Sequence, residues 1–271
     1  MSAFLLGHEP AVRLAGFAGV LAAMALWELV APRRALLRGR RRWWTNLGLS
    51  AAGTLLIRFA LPTLAVGIAI WAATENVGLF NRLDLPLLLS IPLTIIALDL
   101  LIYAQHVAFH RFSIFWRLHR VHHADPDIDT TTGVRFHPLE IFVSMLIKMA
   151  AVAALGAPAV AVLVFEVLLN GTTMFNHGNV RLGEAVDRAL RLVIVTPDMH
   201  RVHHSVERDE HDSNFGFNLS IWDRLFGTYR ASPRGGQTGM RIGLADCTDF
   251  KPTWFFWSLA LPFFKLKEGA R

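Results

Sequence analysis

Residues 141–169 read IFVSMLIKMAAVAALGAPAVAVLVFEVLL, and the way this run folds decides where everything after it lies. As one span it carries the chain across a bilayer once. As two arms broken at Gly156-Ala157-Pro158, a helix-breaking sequence, it returns the chain to the face it left. Each arm is then about 14 residues, or roughly 21 Å, short of the roughly 30 Å hydrocarbon core. The second reading is a tight, partly penetrating or kinked helical hairpin, in which Lys148 must snorkel or face protein.

Histidines on either side of this run choose between the two. His119-Arg120-Val121-His122-His123 and His200-Arg201-Val202-His203-His204 are two copies of HRVHH, and His106 and His110 sit just upstream. Eight of the twelve histidines fall in these three boxes. Imidazole binds first-row transition metals well, and eight convergent imidazoles exceed the needs of one ion. The boxes therefore read as a two-metal centre. A single crossing at 141–169 would leave His119 and His200 on opposite sides of a membrane. The hairpin puts them on one side.

Spacing suits helices. His106 and His110 are i,i+4 neighbours, and within each HRVHH the first histidine is i,i+3 and i,i+4 from the others. All three should then project to one side of a helix, whereas a strand would divide them between faces. HExxH, the zinc-protease signature, is absent from the sequence.

The rest of the chain agrees with a membrane setting. Of its 271 residues 53% are hydrophobic and 18% charged, and the mean hydropathy is +0.39. Soluble domains are more polar. Residues 11–30 are long enough to cross once, 47–73 form a second apolar run broken by Arg58 and Pro62, and 85–105 form a third. The first run is read as a retained span, since no basic n-region or clear cleavage site precedes it. The net charge is +6, and Arg supplies 23 of the 27 basic residues. The densest cluster (Arg33, Arg34, Arg38, Arg40, Arg41, Arg42) directly follows the first span. That is the positive-inside pattern, so it speaks for topology and lipid headgroups and against nucleic acid. Two further crossings bring His106 to the cytoplasmic face.

Residues 178–250 are more polar and form a cap, and Trp254 to Phe264 is too short to span but suits an interface. The fold expected is an all-α integral membrane protein of three spans plus the hairpin, with a cytoplasmic helical cap holding the boxes. Residues 1–84 supply N-terminal spans, 85–230 the histidine-box core and 231–271 a tail, as one functional unit. Cys247, the lone cysteine, excludes an intrachain disulfide framework, CxxC redox chemistry and a Cys-ligated iron–sulfur cluster. High Ala and Arg content, and a C-terminus (KLKEGAR) without a retrieval signal, point to a bacterial inner membrane.

The chain resembles the fatty acid hydroxylase/sterol desaturase superfamily of membrane-bound di-iron oxygenases. The order HxxxH, HxxHH, HxxHH is matched by His106/His110, His119/His122/His123 and His200/His203/His204. Flanking matches are Phe115-Trp116-Arg117-Leu118, Thr196-Pro197-Asp198-Met199, His137-Pro138-Leu139-Glu140, Asn214-Phe215-Gly216 and Trp222-Asp223-Arg224-Leu225-Phe226-Gly227-Thr228. The resemblance covers about residues 95–230. It implies a further histidine ligand at His177, and Thr173 stands where some members carry another. It also implies two ferrous ions that activate O2 and hydrogen abstraction from an unactivated C–H bond of a lipid, acyl chain or sterol-like substrate. The product is an alcohol or, after a second abstraction, an alkene. By residue type alone, imidazoles suit Zn, Cu, Fe or Ni, and zinc can replace iron in purified protein.

Three more residues are candidates around the metals. Asp99, seven residues before His106, either accepts an imidazole N–H or makes a helix–helix hydrogen bond. His137 is a ligand or a structural neighbour, and Asp198 caps the helix of the third box. HPGG and GxGxxG are absent from the sequence, so electrons come from a separate ferredoxin, cytochrome b5 or reductase. Two other readings compete: a non-enzymatic multi-histidine metal or haem electron carrier, and a zinc hydrolase with Glu140 as the nearest base.

Overall fold

A computed structural model describes residues 2–247 and 251–265. The KLKEGAR reading falls largely outside these residues. Among the described residues the chain is all-helical, with only isolated β-bridges such as Pro32 with Val180 and Ile194 with Leu219. The elements in order are α1 (Ser2–Gly7), α2 (Glu9–Val30), α3 (Arg42–Ala60), α4 (Ala65–Thr74), α5 (Leu79–Arg82), α6 (Leu87–Arg111), α7 (Ser113–His123), α8 (Pro138–Leu155) and α9 (Ala159–Asn176). Shorter helices follow: α10 (Glu184–Leu190), α11 (Pro197–His203), α12 (Arg208–His211), α13 (Ile221–Leu225), α14 (Gly236–Gly239) and α15 (Phe255–Ala260).

Five segments are long and apolar enough to cross a membrane: Glu9–Val30, Gly39–Arg82, Leu87–Arg111, Pro138–Leu155 and Ala159–Asn176. Their surfaces suit lipid. Phe59, Leu87, Leu88, Leu93 and Ile96 point outward, while Ser90, Thr94 and Asp99 of α6 point in. A polar surface would face water; here the polar side chains are enclosed, and Thr94 and Asp99 are hydrogen-bonded within the protein. The apolar core lies among α3, α4, α6, α8 and α9, around Leu98, Val152, Val162, Leu163 and Phe165.

The run at 141–169 is a hairpin. α8 ends on Gly156, left-handed at φ 65°, and α9 starts after Pro158. A Cβ on Gly156 would come within 2.8 Å of Asn81 Nδ2 and Val77 O, so both the φ and the close approach favour glycine. The arms are longer than the apolar run suggests, at 18 residues each, or roughly 27 Å. Polar residues extend them: Pro138-Leu139-Glu140 opens α8, and Gly171 to Asn176 completes α9. Lys148 faces protein, pairing at 2.5 Å with Glu166 of the other arm, and Arg13 of α2 reaches the same carboxylate.

The arginine cluster is only partly what positive-inside topology suggests. Arg42 is fully buried and pairs with Asp125, at 2.5 Å, and with Asp129. Arg33 bonds Asp198, and Arg34 donates to Met240 O. These three hold the cap: Arg42 neutralises the buried aspartates of the loop after α7, and Arg33 and Arg34 tie α11 and Met240 to the chain after α2. Asn46, Thr131, Thr132 and Arg135 complete that network. In the tail, α15 and the residues flanking it turn Trp254, Phe256 and Phe263 outward and bury Leu261 against Leu49, Trp116 and Val121.

Candidate metal centre

α6, α7, α9 and α11 deliver nine imidazoles to one end of the helical layer. The nitrogens fall into two groups, each mutually within 4.8 Å: His106, His110, His119, His123 and His203 in one, and His122, His177, His200 and His204 in the other. The groups share a wall, with the rings of His123 and His204 stacked at 4.7 Å between centroids. Eight of the nine residues are buried, and the side chain of His110 is 2% exposed. All nine sequence candidates are therefore brought together.

Their distribution differs from the sequence reading. The imidazoles of one HRVHH do not all project to one side. In the first copy the i,i+4 pair His119 and His123 joins the five-histidine group, and His122 crosses to the other. In the second copy His200 and His204 form the pair in the four-histidine group, and His203 crosses. Positions i+3 and i+4 are 100° apart around a helix of 3.6 residues per turn. That angle is enough to serve two adjacent centres.

Hydrogen bonds orient the rings. The Nδ1–H of His106 donates to Phe215 O at 2.8 Å, that of His177 to Thr173 O at 2.7 Å, and that of His203 to Ser213 O at 2.7 Å. His122 Nδ1 lies 3.2 Å from Arg135 O, His119 Nδ1 2.7 Å from Glu140 Oε1, and His110 Nδ1 3.3 Å from Asp212 Oδ1. A proton on each Nδ1 leaves the Nε2 lone pair free. Those Nε2 atoms face one another: His106 and His119 at 3.0 Å, His110 and His123 at 3.1 Å, and His177 with both His122 and His200 at 3.1 Å. In the His106–His119 and His177–His122 pairs both Nδ1 atoms are bonded to acceptors, so lone pair meets lone pair, which is repulsive, and a cation between them relieves it. His203 Nε2 and both nitrogens of His204 are buried without a hydrogen-bond partner. The residues fit two metal ions.

Burial also sets protonation. It pushes His119 and His177 down to about 3, and His122, His123, His200, His203 and His204 well below the usual imidazole value. Neutral imidazoles are the form that binds metal.

The outlying candidates lie elsewhere. Asp99 accepts from Asn218 Nδ2 at 2.7 Å, Trp222 Nε1 at 2.8 Å and Leu219 N at 3.2 Å, so it ties α6 to the cap rather than fixing an imidazole. His137 caps α8, accepting from Leu139 N, and its Nε2 bonds Leu259 O. Thr196, not Asp198, caps α11 by accepting from Met199 N, because its hydroxyl sits at the N-cap one residue before Pro197. Asp198 instead pairs with Arg33 and Arg201.

Sequence reasoning missed three partners. Glu140 as an acceptor from His119 is a contact between helices, invisible to local spacing. Asp223 accepts from Phe215 N at 2.7 Å and Gly216 N at 2.9 Å, which fixes the carbonyl that His106 uses. His211 packs on the rings of His110, His123 and Trp116 beside an open polar cavity of about 290 Å³ that Arg208 and Asp212 also line. Its only sequence signal is a histidine in a polar stretch shortly after the third box.

The chain spans less than half the length of the curated relatives it matches. It is 29% identical over 157 residues to ornithine lipid hydroxylase OlsE of Rhizobium tropici, covering 58% of this chain and 46% of the relative. It is 30% identical over 134 residues to an alkylglycerol monooxygenase of Homo sapiens, covering 48% and 28%. A very-long-chain aldehyde decarbonylase of Oryza sativa subsp. indica is 30% identical over 167 residues, covering 58% and 26%. No solved structure matches the chain. The family model described as "Fatty acid hydroxylase" matches residues 91–228, a stretch that contains all nine histidines of the two groups, and the chain belongs to that family.

Proposed function

We propose that this chain is an O2-dependent membrane oxidoreductase that holds one iron ion in each histidine group. It hydroxylates, or desaturates, an unactivated C–H position of a membrane lipid, acyl chain or sterol-like substrate. The observation that carries this reading is the division of nine carboxylate-free imidazoles into adjacent groups of five and four. Relatives named for an ornithine lipid and for an alkylglycerol support a lipid substrate. Iron bound there would supply reductive activation of O2 and the oxidant for C–H cleavage.

The chain's own residues have three tasks. Glu140 and the carbonyls of Phe215, Arg135, Thr173 and Ser213 hold His119, His106, His122, His177 and His203 each in one tautomer and one direction. Phe136, stacked on His122 at 4.6 Å, with Phe215 and Phe217 beside His106, keeps bulk water off the groups. The apolar spans keep the reacting end beside the acyl chains. Electrons come from a separate ferredoxin, cytochrome b5 or reductase, with the histidines at the cytoplasmic face of a bacterial inner membrane. Residues 85–230 carry the chemistry, 1–84 anchor it, and 231–271 close it at the interface.

The competing readings fare worse. Imidazole centroids about 5 Å apart leave no slot for a haem macrocycle. Glu140 hydrogen-bonds behind His119, so it does not stand where a hydrolytic base would attack. The test is anaerobic reconstitution with Fe(II) and a reductant, followed by ¹⁸O2 and mass spectrometry of added lipids. A labelled hydroxyl or a new double bond, absent with His203→Ala, is expected. Unchanged lipids in an iron-loaded protein would overturn the reading.

A further inference from the structure

We propose that part of the cap, residues 192–195 with 218–226, is an in-plane shelf embedded in the bilayer, in contact with the lipids of the leaflet beside the metal centre. The argument begins with depth. A bilayer core takes about 20 helical residues, which from Leu87 reaches His106. Asp99 lies seven residues before His106, roughly 10 Å toward the membrane interior. Its carboxylate holds Asn218, Leu219 and Trp222. A second tie has the same depth: Asn218 also bonds Thr172, five residues or roughly 8 Å before His177 on α9. Tyr103 of α6 stacks on Phe226 at 5.4 Å and bonds Thr228.

The 192–195 segment hangs on this turn. Val195 N donates to Asn218 O at 2.9 Å and Ser220 N to Val193 O at 3.0 Å. Both pieces therefore sit on the membrane side of the metals rather than above them. What they turn outward is apolar: Leu192 is 65% exposed, Val193 62%, Ile221 51%, Leu225 65% and Phe226 54%. In water such a patch would be a liability. Leu93 and Ile96 of α6, six and three residues before Asp99, are likewise turned outward. Arg188, exposed on α10 four residues before Leu192, supplies a cation for lipid phosphate. Backbone N–H groups of Val193, Ile194, Val195, Leu219 and Ser220 are bonded within the protein, as burial in lipid requires.

The shelf does not depend on the reaction proposed above, and its test does not read activity. The full chain, reconstituted in phosphatidylcholine/phosphatidylglycerol nanodiscs, is spin-labelled singly at Leu225→Cys and at Leu192→Cys. Leu88→Cys on the outer face of α6 serves as the lipid-facing control and exposed Glu207→Cys as the water-facing one; Cys247 is buried. Collision rates with O2 and with a neutral nickel chelate are compared. The expected result is high O2 and low nickel accessibility at both shelf positions, as at Leu88. A profile like that of Glu207 would overturn the proposal. So would low accessibility to both reagents, which would mean that a protein surface or a second copy covers the patch. Two independent positions keep the test decisive if one variant fails to fold.

Discussion

Oε1 of Glu140 on α8 lies 2.7 Å from Nδ1 of His119 on α7, and both groups are buried. A carboxylate behind an imidazole fixes its tautomer and raises its basicity toward a metal on the far side. Glu140→Ala is therefore expected to lower iron affinity and turnover by about 10- to 100-fold. Glu140→Gln keeps an acceptor oxygen and should recover part of that loss. Iron content and turnover measured on both variants check this, and equal losses would argue against an orienting role.

The two groups should respond unequally to losing a histidine. His177→Ala leaves three imidazoles in the four-histidine group, whereas His110→Ala leaves four in the other. The expected outcome is a fall from two irons per chain toward one for His177→Ala, and a smaller fall for His110→Ala. Metal analysis after anaerobic loading reads this directly.

Acid should destabilise the metal-free fold. His119 and His177 sit at about 3 in the fold against about 6.5 in an unfolded chain. Below about 6.5 the unfolded chain takes up protons that the fold refuses, so stability present above that pH is lost progressively as pH falls toward 3. At pH 5.5 the loss is on the order of 1 kcal/mol for each imidazole kept neutral. Thermal unfolding of the apo-protein should show a lower Tm at pH 5.5 than at pH 7.5. An unchanged Tm would contradict the burial argument.

Arg42 and Arg41 are neighbours with opposite environments. Arg42 is fully buried among Asp125, Asp127 and Asp129, and Arg41 is exposed. Arg42→Met strands buried carboxylates and should cost about 3–5 kcal/mol. Arg41→Ala should change stability by no more than about 0.5 kcal/mol. Thermal unfolding of the two purified variants separates a structural arginine from one that meets only solvent or headgroups.

The histidine boxes and the break at Gly156 were legible because each is a local signal: imidazole spacing in one case, helix-breaking residues in the other. The crossing of His122 and His203 between groups was not, since spacing gives an angle around a helix but not where the partner helix stands. Asp125, Asp127 and Asp129 read as ordinary loop charges, and only the packing of α3 against that loop buries them with Arg42. The cap at Thr196 was misassigned to Asp198 because the two lie two residues apart and either type can cap. Asp99 stands out in the sequence as an ionisable group within an apolar run, but its partners come from a turn about 120 residues later, beyond the reach of local spacing.

On the reading proposed here, two irons sit side by side in imidazole-only groups. The most direct measurement is metal stoichiometry combined with iron X-ray absorption on anaerobically reconstituted protein. Two irons per chain are expected, each with nitrogen-dominated, imidazole-type scattering and no sulfur. A single iron per chain, or iron held mainly by carboxylate or thiolate, would contradict it.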